Sequence, residues 1–443
     1  MMPASADTIY ALSSGALPAG VAIIRISGLK AFEAFVRLTD RELPVARQAV
    51  LCSIRNRNKE VIDQALMIVF PGPNSFTGEN CIEIHSHGSR AVVASIFAEL
   101  EQLDGFRPAD AGEFSRRAFE NGKMDLLEVE GLADLLQAET EMQRRLAVEQ
   151  STGKLSALYD GWASRLTRAR ALIEAELDFA DEEDVPDSVA AQVWDAMRLL
   201  KGEITGHLQN GGSSEIIRDG FKVALVGEPN AGKSTLLNAL SGRDVAIVTD
   251  IAGTTRDVLS VDINLDGYLV RIFDTAGIRE TLDVVEKEGV RRAVLTAETA
   301  DLILLLQDND STPKLFLISL ENARRLRVRT KAALSSSSAN DDFDLSISAK
   351  EGLGLEELRL LIKQEIENRV GAVQTLAPAR ARHKKRLEET LNYVSDALNS
   401  ETMDLAIRSE YLRLAATSLG RITGRVDVED LLGVIFSEFC IGK

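Results

Sequence analysis

A chain of 443 residues is too long for one hydrophobic core and fits two to four domains. Its 45% hydrophobic and 27% charged residues suit a globular protein, and no apolar run reaches the roughly 18 residues of a membrane helix. A formal charge of −17 argues against non-specific binding along a nucleic-acid backbone and leaves room only for a confined basic patch.

Met1 to Asp7 lacks the basic-then-apolar order of an export signal. Cys52, Cys81 and Cys440 are odd in number and far apart, which fits neither a disulfide framework nor a zinc site. The expected setting is a reducing cytoplasm, away from membranes.

Residues 1–121 read as an α/β domain. Gly20 to Gly28 and Ala65 to Pro73 have strand character, and Cys81 to Gly88 alternates in period two. That alternation puts Ile82 and Ile84 on one face and Glu83, His85 and His87 on the other. A His-x-His pair invites a metal, but without a nearby third ligand a solvated or hydrogen-bonded pair is the preferred reading.

Residues 122–216 become helical, with one mainly apolar stripe through Leu132, Leu135, Leu136, Glu139, Met142 and Leu146. A further helix, Leu155 to Phe179, ends in the acidic run Asp181 to Asp184, read as a solvated break. Gly211-Gly212-Ser213-Ser214 reads as a hinge.

The segment 217–373 carries the chemistry. Val223 to Val226 is a continuous apolar run, expected to be a strand buried on both faces. It leads into Gly227-x-x-x-x-Gly232-Lys233-Ser234 and a helix opening, the context of a phosphate cradle. Asn230, Ala231, Gly232, Lys233, Ser234 and Thr235 would line it, with Lys233 reaching the β/γ-phosphates and Ser234 on Mg²⁺. Asp274-Thr275-Ala276-Gly277 follows a second apolar strand, so Asp274 can hold Mg²⁺ through water and the Gly277 N–H can face the γ-phosphate. Between them, Thr249-Asp250-Ile251-Ala252-Gly253-Thr254-Thr255 can complete the Mg²⁺ shell when triphosphate is bound, as an order–disorder switch. Ser348-Ala349-Lys350 resembles the guanine loop of GTPases. Together these predict a Ras-like GTPase fold.

Two departures stand out. The base-specificity signature aligns with Thr330-Lys331-Ala332-Ala333, leaving Ala333 where a guanine-binding Asp is expected. Losing that charge-assisted contact costs about 1.5–3 kcal/mol, or roughly 10- to 150-fold in affinity. Ile278 also stands where Ras-like enzymes orient water with Gln, and no arginine finger is evident in cis. Oxygen ligands from the 249–255 loop and Asn230 allow a monovalent cation to supply the missing positive charge.

Residues 374–443 return to helix. Arg380 to Arg386 is the most basic stretch and reads as an exposed helix start in preference to an RNA contact. The resulting architecture is multidomain, α/β plus all-α, with the GTPase segment inserted into a helical domain.

The chain resembles the tRNA-modification GTPases of the MnmE (TrmE) family over nearly its whole length. The resemblance rests on segments 20–28, 71–79 (Pro-Gly-Pro-Asn-Ser-Phe-Thr-Gly-Glu), 112–115 (Gly-Glu-Phe-Ser), 121–126, 249–258 and 439–443. It implies a GTPase that acts with an FAD-dependent partner in a hetero-oligomer. The pair would add an aminomethyl or carboxymethylaminomethyl group at C5 of the wobble uridine of certain tRNAs. It also implies a homodimer through the N-terminal domain and a site there for 5-formyl-tetrahydrofolate or a related folate, at positions matching Arg25, Glu83, Lys123 and Lys443. By the same resemblance K⁺ would sit at Asn230, Thr249, Ile251 and Thr254, Mg²⁺ at Ser234 and Thr255, and Glu286 would help place the attacking water. Cys440 matches a family cysteine, for which a nucleophilic or redox role and simple packing both stand. Gly15 to Ala19 lacks the Arg-Gly-Gly often seen before the first strand.

The competing reading is a ribosome-assembly GTPase switch without covalent RNA chemistry. Such a protein would carry an RNA module, and Gly420 and Gly424 have the wrong spacing for a Gly-x-x-Gly loop.

Overall fold

A computed structural model describes residues 7–178, 189–228, 230–242, 260–274, 299–308, 324–331, 343–371, 377–399, 404–426, 432–433, 435–436, 439 and 442. The chain divides into two compact units. One joins Met1–Ala133, Gln150–Arg168 and Arg413–Lys443; the other joins Asp134–Glu149 and Ala169–Leu412.

The first unit is built on six strands: β1 (Thr8–Leu12), β2 (Ala19–Ser27), β3 (Val50–Arg55), β4 (Val61–Phe70), β5 (Cys81–Gly88) and β6 (Phe106–Pro108). Their order is β3-β4-β5-β2-β1-β6, and every neighbouring pair is antiparallel except β1 with β6. Period-two alternation sorts the side chains. Ile24, Ile26, Ile82 and Ile84 join Phe35 and Ile96, from helices Ala31–Thr39 and Arg90–Leu100, in one buried core. Ile9 and Ala11 instead pack with Phe114 and Phe76 in a separate cluster. Arg25 lies in register with both Ala11 and Glu83, so a charged pair is set beside that second cluster.

Gly112-Glu113-Phe114-Ser115 owes its composition to packing. Gly112 has φ +68 and opens helix Glu113–Glu120; a side chain there would strike the Phe436 carbonyl at 2.5 Å. One turn apart, Glu113 and Arg117 pair at 3.0 Å, and Arg117 also holds Glu79 and Asp7. Burial alone would raise the Glu113 carboxyl, but hydrogen bonds from Arg107, the Asp110 N–H and Arg117 outweigh it and hold its pKa below the ordinary range.

The second unit contains β7 (Phe221–Gly227), β8 (Ser260–Leu265), β9 (Tyr268–Asp274), β10 (Leu302–Asp308), β11 (Arg324–Thr330) and β12 (Leu345–Ser346). The order is β12-β11-β10-β7-β9-β8, parallel throughout except for the β8–β9 hairpin. This is the predicted Ras-like arrangement. β7 is buried on both faces as expected: Val223 and Leu225 enter the main core, while Ala224 and Val226 pack with Ala300 and Ile303. A fully buried Val or Leu contributes about 1.5–3 kcal/mol, so the run has no reason to alternate with polar residues.

The two ends of this fold are tied together. Arg369, near the end of helix Leu355–Val370, stands over the Phe221 ring at 6.0 Å and bonds the Asp301 carbonyl at 2.7 Å. Asp301 in turn accepts the Lys222 N–H at 2.9 Å.

Helices Leu126–Gln137, Glu141–Ser151, Lys154–Asp178, Val189–Gln209, Gly211–Asp219, Ala381–Asn399 and Leu405–Thr423 account for the helical segments. Three readings change. The apolar stripe is divided between two helices, with the break closed by Gln143 Oε1, which accepts the Glu139 and Thr140 N–H groups at 3.1 Å. Leu132 then packs with Leu126 and Phe436, whereas Leu146 enters the GTPase core.

Gly211 to Ser214 is the first turn of a helix, not a hinge. A Cβ on Gly211 would lie 3.0 Å from Pro378 Cγ and 3.1 Å from its carbonyl, so the glycine serves a close approach. Arg380 to Arg386 does enclose a helix start, but it is largely packed and ion-paired. Arg380 bonds Asp134 at 2.6 Å, Lys384 bonds Glu215, Arg386 bonds Glu389 at 2.7 Å, and His383 is buried.

Candidate functional site

β7 occupies the switch point of the second unit's sheet: β9 lies on one side and β10 on the other. Ligands of open parallel sheets sit beyond the carboxyl ends of strands at such a point, and Glu228 to Gly232 emerges there. Gly227 admits no side chain, since a Cβ would meet the Leu306 carbonyl at 2.4 Å. Asn230 and Gly232 have positive φ values, +68 and +89, and Gly232 opens helix Lys233–Ser241. Left-handed backbone at Asn230 and Gly232, leading into a helix N-terminus, is the conformation an anion cradle requires.

Lys233 is only 7% exposed, and its ammonium donates to the Gly227 and Glu228 carbonyls at 2.8 and 2.9 Å. This keeps the charge over the cradle. Ala231 is buried beneath the loop, while Ser234 and Thr235 are exposed in the helix's first turn. Ser234 Oγ donates to Asp274 Oδ2 at 2.9 Å. Asp274 is 4% exposed, and its other oxygen, Oδ1, is buried with no hydrogen-bond partner. A carboxylate oxygen left this way beside a hydroxyl matches the hard oxygen donors that Mg²⁺ takes.

The described residues expected beside the guanine, Thr330, Lys331 and Ser348 to Lys350, end or follow the neighbouring strands β11 and β12. Gly232 approaches Thr330, 3.8 Å from a built Cβ to Thr330 Cβ, and Thr330 Oγ1 donates to the Gln307 carbonyl at 3.2 Å. Lys331 pairs with Asp308. Ser348 exchanges backbone bonds with Leu353 at 3.0 and 3.1 Å, which folds Ser348-Ala349-Lys350 into a tight turn. The contributions of Gln307 and Asp308 were not read from sequence; the end of the strand Leu302–Asp308 is the signal that points to them.

In the first unit Arg25 donates to Glu83 Oε1 through Nε at 3.2 Å and Nη2 at 2.9 Å. Its guanidinium carbon lies 4.9 Å from the Phe76 ring centre and 5.8 Å from that of Phe114. Lys123 is exposed, with its stem against Gly78, 3.3 Å from a built Cβ to Lys123 Cγ. Gly442 rests on the end of β1, where its carbonyl accepts the Ser13 hydroxyl at 2.7 Å. His85 Nε2 stands 3.4 Å from Glu83, and His87 Nδ1 bonds Asp63 at 2.7 Å, the hydrogen-bonded alternative to a metal. Among the described residues no cluster of three or more His, Cys, Asp or Glu is set to hold a metal.

Thr249, Asp250, Ile251, Ala252, Gly253, Thr254, Thr255, Thr275, Ala276, Gly277, Ile278, Glu286, Ala333, Cys440 and Lys443 lie outside the described residues, as does the acidic run 181–184.

Comparison with known proteins bears on the whole chain. A family model described as "GTP-binding protein TrmE N-terminus" matches residues 8–123, and one described as "MnmE helical domain" matches 126–440. A protein of Agrobacterium fabrum named tRNA modification GTPase MnmE is 85% identical over 442 residues, 100% of each chain. The chain belongs to the MnmE family.

MnmE proteins of Rhizobium etli and Rhizobium meliloti, under the same name, are 57% and 55% identical over 99% of this chain and 99% and 100% of theirs. Among solved structures, Era from Aquifex aeolicus bound to GDP and AlF₄⁻ is 26% identical over 38% of this chain and 66% of that one. Its TM-score of 0.28 is low, so the fold rests on strand order instead. No helix among the described residues of this MnmE chain is long and apolar enough to cross a membrane.

Proposed function

We propose that this chain is a K⁺-activated GTPase that, with an FAD-dependent partner, adds an aminomethyl or carboxymethylaminomethyl group at C5 of the wobble uridine of certain tRNAs. GTP hydrolysis in tRNA modification follows from membership of a family whose relatives carry that name. The single observation that carries it is the cradle after β7, with Lys233 over it and Ser234 on Asp274 beneath.

The chain's own residues divide the work. Backbone N–H groups from Asn230 to Thr235 and the Lys233 ammonium bind the β- and γ-phosphates and spread their charge. Ser234 and Asp274, joined by Thr255, would hold Mg²⁺; Asn230, Thr249, Ile251 and Thr254 would hold K⁺. When bound, both ions supply positive charge opposite the departing phosphoryl group. Thr330, Lys331 and Ser348 to Lys350 bound the purine, and Glu286 orients the attacking water.

Arg25, Glu83, Lys123 and Lys443 are proposed to hold 5-formyl-tetrahydrofolate or a related folate. Glu83 presents a carboxylate to a ring N–H edge, and the cations suit a carboxylated tail. Homodimerisation through residues 1–121, a cytoplasmic location and domain limits at 121, 216 and 373 complete the reading. The family match running from 126 to 440 supports treating 217–373 as an insertion.

Two measurements test it. GTP turnover should be about 100- to 1,000-fold faster in K⁺ than in Na⁺ or Cs⁺, the range for removing one stabilising donor; equal rates would overturn K⁺ activation. Nucleoside analysis of tRNA from cells lacking the protein should show unmodified wobble uridine, and an unchanged profile would sink the modification role.

A further inference from the structure

The Arg25–Glu83 pair is built into its surroundings beyond the mutual ion pair. Both donated bonds from Arg25 end on one oxygen, Glu83 Oε1, while Oε2 faces His85 at 3.4 Å, too long for a strong bond. The second oxygen therefore accepts no bond from Arg25. Keeping that geometry requires Arg25 to stay in one rotamer, which costs side-chain entropy. Arg25 and Glu83 side chains are 17% and 21% exposed, so solvent alone does not hold them.

The confinement comes from aromatic faces. Phe114 is fully buried in the cluster of Ile9, Ala11 and Ala109 and forms the farther wall. Phe76 is the nearer wall, and its loop is fixed independently of Arg25. Ser75 Oγ donates to the Glu79 carbonyl, Asn121 Nδ2 donates to the Thr77 carbonyl at 2.7 Å, and the Gly72 N–H donates to Asn80 at 3.1 Å. Gly78 of the same loop, with φ +82, admits the Lys123 stem alongside. One loop thus sets the places of Arg25 and Lys123, residues 98 positions apart by subtraction of their numbers.

We infer that Phe76 is a positioning residue of the N-terminal site: its ring face holds the Arg25 guanidinium on Glu83 Oε1 and so leaves Oε2 to the ligand. The assignment of a folate as that ligand rests on the proposed function; the positioning of Arg25 does not. A guanidinium over an aromatic face is attracted by the ring's negative π-surface, and desolvation strengthens that attraction. Leu at this position would keep much of the bulk and lose the attraction.

The test uses the full chain with ¹⁵N-labelled arginine side chains and two variants, Phe76→Leu and Phe76→Tyr, each checked for an unchanged melting transition. The Arg25 Nε–H resonance, identified by its loss in Arg25→Lys, should be displaced by the ring and slow to exchange with solvent. Both properties should vanish in Phe76→Leu and persist in Phe76→Tyr. Equilibrium dialysis with 5-formyl-tetrahydrofolate should show binding weakened about 3- to 30-fold by Phe76→Leu and changed less than about 2-fold by Phe76→Tyr. Combined with Arg25→Lys, Phe76→Leu should add little further loss, because both act through one guanidinium. An Arg25 resonance unaltered by Phe76→Leu, or losses that simply multiply, would overturn the positioning role. Failure of the unsubstituted chain to bind the folate would instead overturn the folate reading, with the resonance alone deciding on Phe76.

Discussion

Lys331 stands just beyond β11 with φ +55, and its ammonium is held by Asp308. Thr330 beneath it is 4% exposed and faces the phosphate loop. In the proposed reading of the base-specificity signature, Ala333 takes the position of the Asp that reads guanine. An alanine side chain can neither accept a hydrogen bond nor carry charge, so on that proposal the base edge has no charged acceptor at this position. Ala333→Asp should therefore raise the preference for GTP over inosine triphosphate by about 10- to 150-fold. Competition binding with the two nucleotides reads this directly, and an unchanged ratio would show that another group already performs the recognition.

At the scale of elements, Gly211 illustrates how a glycine can be rigid. Its helix begins where Pro378 passes closest, its ring 3.0 Å and its carbonyl 3.1 Å from a built Cβ. Gly211→Val should destabilise the chain by about 1–3 kcal/mol, the usual range for overpacking. Gly211→Ala should change stability less, since alanine's gain in helix propensity of roughly 1 kcal/mol offsets part of the contact. Urea unfolding of both variants checks the order; a stabilised valine variant would refute the packing account.

The same glycine marks the limit of what the sequence discloses. Gly-Gly-Ser-Ser in one dimension is a flexible string, and only the return of the chain at Pro378 turns it into a tight seat. Where backbone geometry dictates chemistry locally, the reading transfers well. β7, the Gly227 to Ser234 cradle and the period-two strand with Glu83 were all legible because their signals lie within a dozen residues. Phe76 lies within the 71–79 segment, yet its contact with Arg25 spans the distance from a loop to another strand and leaves no local periodicity. The divided stripe from Leu132 to Leu146 failed for a related reason: helical spacing continued across a break that Gln143 closes with side-chain bonds.

For the molecule as a whole, stability should respond to mild acid through a buried imidazole. Burial, and after it repulsion from His383, lowers the pKa of His207 from 6.5 to about 4. Between those values the unfolded chain takes up a proton that the folded chain refuses, so stability falls as pH falls through this window. From pH 7 to 4.5 the loss attributable to His207 should be about 2–3 kcal/mol. The Glu113 network, whose carboxyl is lowered from 4.5, retains its contribution in this range and loses it only on further acidification. Calorimetry across pH should show the first loss reduced in His207→Gln; an identical pH slope in that variant would remove the imidazole from the account.

Phe221 and Arg369 place the entrance and exit of the nucleotide-binding fold side by side, with Lys222 and Asp301 fastening the join. A stretch of about 150 residues, counting from one to the other, is thus anchored like a drawer on a single short rail. A few residues of glycine and serine would span the gap left by its excision, and another nucleotide switch with adjacent ends could be slotted in its place.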